Sequence, residues 1–301
     1  MSTSKSIIVV GSSNTDMVIQ TNKFPVPGET LLGGKFFLFP GGKGANQAVA
    51  AARLGGLVTF IAKVGNDIFG EQALQQFKNE GILTEFIISD PSNPSGVALI
   101  TVDAKGENTI VVAQGANGAL TSEDIQKANK EFENTSIVLM QLEIPLDAVI
   151  HTAKLATQHG KKVILNPAPA RQLPDTLLKE LFIITPNESE TEALLGIEIT
   201  DMNAVHAAAK KLHDKGVAHV IITLGSEGAY LYNAEGGQHI PTTKVTPVDS
   251  TAAGDVFNGA LAVAISEGKS VSEAIQFANR AAAISVTRMG AQASAPFRNE
   301  L

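Results

Sequence analysis

The chain has 301 residues, of which 44% are hydrophobic and 18% are charged, and it has no cysteine. This length can bury a sizeable core in one large α/β domain or in two ordinary ones. The missing cysteines exclude disulfides, zinc–thiolate sites, iron–sulfur clusters and thiol nucleophiles. A net charge of −7 argues against nucleic acid as a partner, because binding it requires a basic face.

The apolar runs are too short for a targeting or membrane segment. The run at 7–10 is far shorter than the apolar part of a signal peptide. The longest run elsewhere, 260–265, cannot cross a bilayer, which takes about 20 residues. We therefore expect a cytoplasmic protein with no membrane partner.

The first part of the chain is rich in strand patterns. Strands are expected at 7–10, at 17–19, over the stretch 31–39 and at 58–64. Helices are expected after the Gly41-Gly42 pair and after Asp67, which can cap a helix. Residues 96–103 and 108–113 alternate in hydropathy and predict a hairpin.

From residue 121 onward, predicted helices and strands alternate. The helices are expected near 121–132, 146–158, 187–195, 202–214, 254–267 and 270–288. The strands are expected near 137–142, 162–166, 181–185 and 218–224. Such alternation predicts an α/β fold with a mostly parallel central sheet flanked by helices. The segments 15–39 and 96–113 fit that sheet poorly, so we expect them to form a small projecting β-sheet on a single domain, 1–301.

The segment 249–260 carries the strongest chemical pattern. Small residues precede a helix, and a helix start of this kind lets backbone N–H groups approach an anion. Asp255 in the first turn would repel a bound phosphate unless it acts as a general base during phosphoryl transfer. The alternative is that Asp255 only complements the helix dipole and Gly254 only permits a turn.

The Gly-rich loop 41–46 resembles two phosphate-binding loops and matches neither. A Walker A loop needs Ser or Thr where Gly44 stands, and a dinucleotide fingerprint needs Gly where Gln47 stands. The second mismatch argues against a nicotinamide oxidoreductase. Lys43 and Asn46 then suit a polyhydroxyl ligand, and an ordinary glycine turn at a helix start is the alternative.

Other polar groups follow predicted strands. Asn14 and Asp16 point to one side if extended, which suits two hydroxyls of one sugar, although turn residues are equally ordinary there. Glu143 lies at the carboxyl end of a predicted parallel strand, where open α/β sheets bind ligands. Asn187 and Glu190 fit either a capping box or a site near Mg²⁺ and nucleotide phosphates.

The loop 41–46 and the segment 249–260 resemble the two signatures of the ribokinase-like (PfkB) family of carbohydrate kinases. The order of the remaining motifs, including 186–190 and 225–228, fits that family over essentially the whole chain. The Ala-Ala pair at 252–253 and the tail at 286–292 resemble most closely the family members that phosphorylate ribose.

The resemblance implies roles for individual residues. Asp255 would be the base, and the N–H groups of Ala252, Ala253 and Gly254 would form an anion hole. Ribose would be held by Asn14, Asp16, Gly42, Lys43, Asn46, Glu143 and Asp255. ATP would be bound by Asn187, Thr223, Gly225, Ser226, Glu227, Gly228, Gly254 and Asn279, with Glu190 acting through Mg²⁺. A monovalent cation, K⁺ by expectation, would lie among Asp249, Thr251, Ser285, Arg288, Gly290 and Ser294, and Arg288 could contribute only its carbonyl.

The implied activity is ATP-dependent phosphorylation of D-ribose at the 5-hydroxyl, giving D-ribose 5-phosphate and ADP. Two alternatives stay open, another sugar or nucleoside kinase of the family, such as a deoxyribokinase, and a non-catalytic sugar-binding regulator. The family also implies a four-stranded lid, here 15–39 plus 96–113, that pairs with the lid of a second subunit in a homodimer.

Overall fold

Two β-sheets organise the computed structural model, which describes residues 6–301 of the chain. Within those residues the large sheet has nine strands in the order β13-β12-β11-β10-β9-β8-β1-β4-β5. They are β1 (Ser6–Val10), β4 (Leu57–Gly65), β5 (Ile87–Asp90), β8 (Ile137–Met140), β9 (Lys162–Leu165), β10 (Ile183–Ile184), β11 (His219–Thr223), β12 (Ala229–Asn233) and β13 (Gly236–Ile240). All neighbouring pairs from β11 to β5 are parallel, and β12 and β13 add an antiparallel edge.

Helices cover both faces of the large sheet. They are α1 (Lys43–Arg53), α2 (Ile68–Asn79), α3 (Ser122–Gln126), α4 (Asn129–Asn134), α5 (Leu146–Gln158), α6 (Asp175–Leu178), α7 (Glu188–Leu195), α8 (Met202–Asp214), α9 (Ala253–Ser266) and α10 (Val271–Ser285). Strand β1 shows why two layers form, because Ile7 and Val9 pack into one core and Ile8 and Val10 pack into the other. The first core includes side chains of α1, α9 and α10, and the second includes those of α5 and α8.

The small sheet has four strands in the order β3-β2-β6-β7, namely β2 (Asn14–Gln20), β3 (Lys35–Gly41), β6 (Gly96–Val102) and β7 (Asn108–Ala113). Strands β2 and β6 are parallel, and the other two pairs are antiparallel. Apolar side chains are exposed on both of its faces. For example, Val111 is 69% exposed and its neighbour Ile110 is 54% exposed.

The predicted fold class is confirmed, and several element bounds differ from the sequence prediction. The segment 121–132 forms two short helices, α3 and α4, and the strand expected from residue 31 begins at Lys35. Two parts of the large sheet were not predicted, the four-residue strand β5 and the antiparallel hairpin β12–β13. Among the described residues, no helix combines the length and the apolar character that a bilayer crossing requires.

Candidate active site

Helix α9 begins at the centre of the candidate site. Ala252, which precedes its first residue, has φ 60° and ψ 13°, and it is the one non-glycine residue with positive φ among the described residues. The turn that it makes sets the first turn of α9 against a cavity of about 180 Å³. Ala252, Ala253, Gly254 and Asp255 all line that cavity, as the predicted anion hole and base require. The N–H of Ala253 also donates to the Ser250 carbonyl at 3.2 Å.

Asp255 is buried and receives a hydrogen bond on each carboxylate oxygen. Asn46 Nδ2 donates to Oδ2 at 2.9 Å, and Gln47 Nε2 donates to Oδ1 at 2.9 Å. Burial raises the pKa of Asp255, whereas the Lys43 ammonium and these two amides lower it. The carboxylate is therefore desolvated and yet held by donors that favour its charged form.

A buried amide network lies behind Asp255. Gln47 Nε2 also donates to Asn166 Oδ1 at 3.1 Å, and Gln47 Oε1 accepts from Gln141 Nε2 at 2.6 Å. On its other side Asn166 donates to the Thr185 carbonyl at 3.2 Å. From the sequence, Gln47 was noted only as a mismatch to a dinucleotide loop, and Gln141 and Asn166 were not predicted to be functional. The informative pattern was polar residues at 43, 46 and 47 on one face of a helix that otherwise reads as apolar.

The start of α1 holds Glu143. Glu143 Oε2 accepts from Ser12 Oγ at 2.5 Å and from the Lys43 N–H at 3.0 Å, a favourable place for a carboxylate at a helix N-terminus. Gly42 precedes this helix with φ 87°, and a Cβ there would lie 2.7 Å from the Asn14 nitrogen. The Gly-rich loop therefore serves a close approach of two backbone segments, and its lysine side chain is free to face the cavity that it lines.

Asn14 is oriented by Asn117, a residue that was not predicted to be functional. Asn117 Oδ1 accepts from the Ser13 N–H at 2.9 Å, and its Nδ2 donates to the Ser13 carbonyl at 3.0 Å and to Asn14 Oδ1 at 2.8 Å. Because the Ser13 backbone groups have fixed roles, the amide of Asn117 can take only this orientation. Asn14 therefore presents its NH₂ group as the donor that remains for a ligand.

Four carboxylates surround the ammonium of Lys43, those of Asp255, Glu143, Glu190 and Asp16. Burial lowers the pKa of Lys43, and these negative charges raise it above its ordinary value. Burial, Glu143 and Asp255 together raise the pKa of Asp16 to about 6. Of the predicted ribose ligands, Lys43 and Asp255 line the small cavity, and Asp16, Gly42, Asn46 and Glu143 lie beside these two. Asn14 lies next to Gly42.

A larger cavity of about 790 Å³ opens on the other side of the α9 start. It shares five lining residues with the small one, Asn187, Thr223, Ser250, Ala253 and Gly254. The predicted ATP ligands line it together, namely Asn187, Thr223, Gly225, Ser226, Glu227, Gly228, Gly254 and Asn279. The segment after β13 was not predicted to belong to the site, and five of its residues also line this cavity, namely Thr242, Thr243, Lys244, Val245 and Pro247.

Glu190 forms the predicted capping box and also lines the small cavity. Its Oε2 accepts from the Asn187 N–H at 2.9 Å while Asn187 Oδ1 accepts from the Glu190 N–H at 2.8 Å, which completes a capping box on α7. Glu190 also lines the small cavity, and burial raises its pKa. The cap thus fixes a carboxylate in the small cavity, beside Asn187, which lines both cavities.

The two stretches predicted to hold a monovalent cation meet in the structure. Asp249 Oδ1 accepts from the Thr251 N–H at 2.9 Å, and Asp249 Oδ2 accepts from the Gly290 N–H at 2.8 Å. The Arg288 side chain pairs with Glu300, and its N–H donates to the Ser285 carbonyl at 3.0 Å. Ser294 lies in the short 3₁₀ helix Gln292–Ser294, and its hydroxyl donates to the Ala291 carbonyl.

Comparison with known proteins identifies the family. The model of the pfkB family of carbohydrate kinases matches residues 4–298. The chain belongs to this family. The resemblance drawn from the two motifs is therefore confirmed, and with it the predicted class of enzyme, a kinase of carbohydrates.

Members of the pfkB family resemble the chain over nearly its full length. A ribokinase of Haemophilus influenzae is 46% identical over 98% of this chain and 97% of its own length. A deoxyribokinase of Salmonella typhimurium is 39% identical over 96% of this chain and 95% of its own length. The structure of Arabidopsis thaliana ribokinase complexed with ribose and ATP superposes with a TM-score of 0.93 at 33% identity, covering 98% of this chain and 96% of that one.

Proposed function

We propose that the chain transfers the γ-phosphoryl group of ATP to the 5-hydroxyl of D-ribose, giving D-ribose 5-phosphate and ADP. The observation that carries this proposal is the placement of Asp255. It lines the small cavity beside the Gly-rich loop, next in sequence to Ala253 and Gly254, which line both that cavity and the larger one. The ribokinase relatives at 40–46% identity support ribose as the sugar.

The sugar side offers hydrogen-bonding groups of both kinds. Asn14 presents a donor, and Asp16 and Glu143 offer carboxylate acceptors. Asn46 Oδ1 is buried, and no group in residues 6–301 donates to it. A sugar hydroxyl is the donor that this oxygen requires, because a buried acceptor without a partner costs about 1–3 kcal/mol.

Phosphoryl transfer at this junction needs positioning and charge stabilisation. The 5-hydroxyl oxygen attacks the γ-phosphorus, the bond from that phosphorus to the ADP oxygen breaks, and the hydroxyl proton passes to Asp255. The N–H groups at the start of α9 and the helix dipole stabilise the negative charge on the phosphoryl oxygens. Lys43 stabilises the ionised form of Asp255 before the proton arrives.

The residues at the junction fit a magnesium ion bound with ATP. Glu190 provides a partly buried carboxylate that lines the small cavity, and carboxylate and phosphate oxygens are the ligands that Mg²⁺ prefers. When bound, Mg²⁺ would neutralise phosphate oxygens that otherwise face the carboxylates around Lys43. The capping box holds Glu190 in place for this role.

We propose that K⁺ binds where Asp249 and the segment 285–294 meet. Backbone N–H groups fix both oxygens of Asp249, and the chain runs from there directly into the turn at Ala252. A carboxylate together with carbonyl oxygens suits a large, weakly hydrated cation. With Mg²⁺ in excess, replacing KCl by tetramethylammonium chloride at constant ionic strength should lower turnover. Equal rates in the two salts, with no cation carried through purification, would remove this site.

A deoxyribokinase is the second candidate, because a relative with that activity is 39% identical over 96% of this chain. Asp16 favours ribose, since a carboxylate fits a pair of vicinal hydroxyls better than a deoxygenated carbon. We propose to measure kcat/KM with ATP for a panel of pentoses, hexoses and nucleosides that includes 2-deoxyribose. A higher value for D-ribose is expected. A preference for 2-deoxyribose would reassign the substrate, and no ADP release with any sugar would favour a regulator that only binds sugar.

We propose that the small sheet acts as a lid on the sugar and pairs with a second copy in a homodimer. Strand β2 carries Asn14 and Asp16, so movement of the sheet relative to the large one moves two predicted ribose ligands. Large apolar side chains are exposed on both faces of this sheet, and an isolated soluble domain rarely leaves so many in water. A partner sheet on one face and bound sugar beneath the other would cover them.

A further inference from the structure

A chain of side-chain amides with fixed polarity ends at Asp255. It starts at the Thr185 carbonyl, which can only accept and therefore fixes Asn166 with its Nδ2 toward Thr185 and its Oδ1 toward Gln47. Gln47 must then present its NH₂ group to Asn166. The same NH₂ donates to Asp255 Oδ1 at 2.9 Å.

The other end of the Gln47 amide is also occupied. Its Oε1 accepts from Gln141 Nε2 at 2.6 Å, and both glutamine side chains are fully buried. Rotation of the Gln47 amide by 180° would place its oxygen against both Asp255 and Asn166 and two NH₂ groups against each other. The network therefore allows Gln47 to act only as a donor toward Asp255.

We propose that Gln47 is a positioning residue that holds the base, Asp255, ionised and in one orientation for proton transfer. This inference rests on the proposed function, since it assigns how the base of that reaction is prepared. Asn46 already donates to the second carboxylate oxygen, so the pair of amides fixes the plane of the carboxylate. Asn46 and Gln47 are adjacent on α1, which carries both donors as one rigid unit.

The charged groups around Asp255 show why hydrogen bonds from neutral amides help to keep its carboxylate ionised. Lys43 favours the ionised form, while Glu143, Asp16 and Glu190 oppose it, and burial opposes it most. Hydrogen bonds to a charged group are worth about twice those between neutral groups, and they act in the same direction as Lys43.

The test compares Gln47→Met with Gln47→Glu. Methionine keeps the length of the side chain and removes the donor, whereas glutamate keeps the bond from Gln141 and adds a like charge beside Asp255. We expect the acidic limb of the profile of kcat against pH, measured with ribose and ATP saturating, to move upward by about one unit in Gln47→Met, and further in Gln47→Glu. We also expect kcat at pH 7 to fall by at least about 10-fold, with ribose affinity by calorimetry changed less than kcat.

Thr152→Val is the matched control. Thr152 is a fully buried polar residue on α5 whose hydroxyl bonds the Ala148 carbonyl, so this variant loses a buried hydrogen bond away from the site. Thr152→Val should unfold at a lower urea concentration than the wild-type chain, and the acidic limb of its pH profile should lie where the wild-type limb lies. An unshifted limb in both Gln47 variants, with kcat lowered by the same factor at every pH, would show a merely structural role and overturn the inference.

Two further arms separate this inference from the proposed function. Wild-type protein must phosphorylate ribose, and Asp255→Asn must lose turnover; failure of either rejects the proposed function itself. If both results are obtained and the acidic limb of the pH profile is unshifted in the Gln47 variants, only the role of Gln47 is rejected. Should Gln47→Met fail to fold, Gln47→Glu preserves the volume and the Gln141 contact and decides the question by the direction of its limb.

Discussion

At the scale of single residues, Asp255 combines several properties that an aspartate with a purely structural role does not need. It is buried, it takes a donor on each oxygen, and it lies next to the small residues that begin α9. Asp255→Asn keeps the volume and removes the base. We expect turnover to fall by at least about 100-fold, the scale of general-base removal, while calorimetry still detects ribose binding. Near-normal turnover in this variant would contradict the role of Asp255.

Asp16 predicts a pH dependence of ribose binding. Its pKa in the free protein is raised to about 6 by burial and by the neighbouring carboxylates. If two ribose hydroxyls donate to the ionised form, affinity should fall as pH decreases below about 6, and binding near pH 6 should release protons. Calorimetry in two buffers with different ionisation enthalpies measures that release. Equal heats in the two buffers would contradict the assignment.

The same raised pKa has a consequence for stability. A carboxylate whose folded-state pKa lies above its ordinary value of 3.8 destabilises the folded chain once it ionises, so the free energy of unfolding falls as pH rises from about 4 to about 6. Asp16→Asn should therefore raise the free energy of unfolding at pH 8 by about 0.5–2 kcal/mol while weakening ribose binding. Urea titration at pH 8 measures this free energy of unfolding. A variant less stable than the wild-type chain would show that the ionised Asp16 does not destabilise the fold.

At the scale of elements, the start of α9 stores strain where the anion hole is expected. Ala252 has a left-handed conformation that costs a non-glycine residue about 1–2 kcal/mol, whereas Ala253 is the first residue of the helix. Ala252→Gly should raise the free energy of unfolding by up to about 1 kcal/mol. Ala253→Gly is the matched control and should lower it, because glycine loses more conformational freedom on folding than alanine does. The reverse order of stabilities would contradict the strained turn.

Elements with strong periodicity or caps were predictable from the sequence, and elements formed by long-range pairing were not. The helix expected at 146–158 is α5 (Leu146–Gln158), and Asp67 caps α2 as predicted, accepting from the Gly70 N–H. The strand β5 has four residues and no clear alternation, and the β12–β13 hairpin depends on pairing with the edge of the large sheet. Tertiary pairing of this kind leaves little trace in a local pattern.

The residues of the candidate site also fall into two groups, those that could be predicted from the sequence and those that could not. Residues in recognisable motifs, such as Lys43 and Asp255, could be selected because their neighbours form a pattern. Gln141, Asn166 and Asn117 are single polar residues after strands, and only the fold brings them to Gln47 and Asn14. The segment 242–247 has no periodicity, and its place on the large cavity follows from the position of β13.

At the scale of the whole molecule, the small sheet offers two faces for a partner. Ile110 and Val111 are adjacent on β7, and their side chains point to opposite faces. We expect the wild-type chain to sediment as a dimer at micromolar concentration. One of Ile110→Glu and Val111→Glu should convert it to a monomer, while the other serves as its control and leaves a dimer. A monomeric wild-type chain would contradict the proposed pairing.

The most direct measurement is the identity of the product. The chain is incubated with ATP, Mg²⁺ and D-ribose labelled with ¹³C at carbon 5, and the product is examined by ¹³C and ³¹P nuclear magnetic resonance. If ribose lies with its 5-hydroxyl between Asp255 and the γ-phosphate, the labelled carbon acquires a coupling to phosphorus and ADP accumulates in equal amount. A phosphate on any other oxygen of the sugar, or ADP release without a phosphorylated sugar, would contradict the arrangement of the two sites around Asp255.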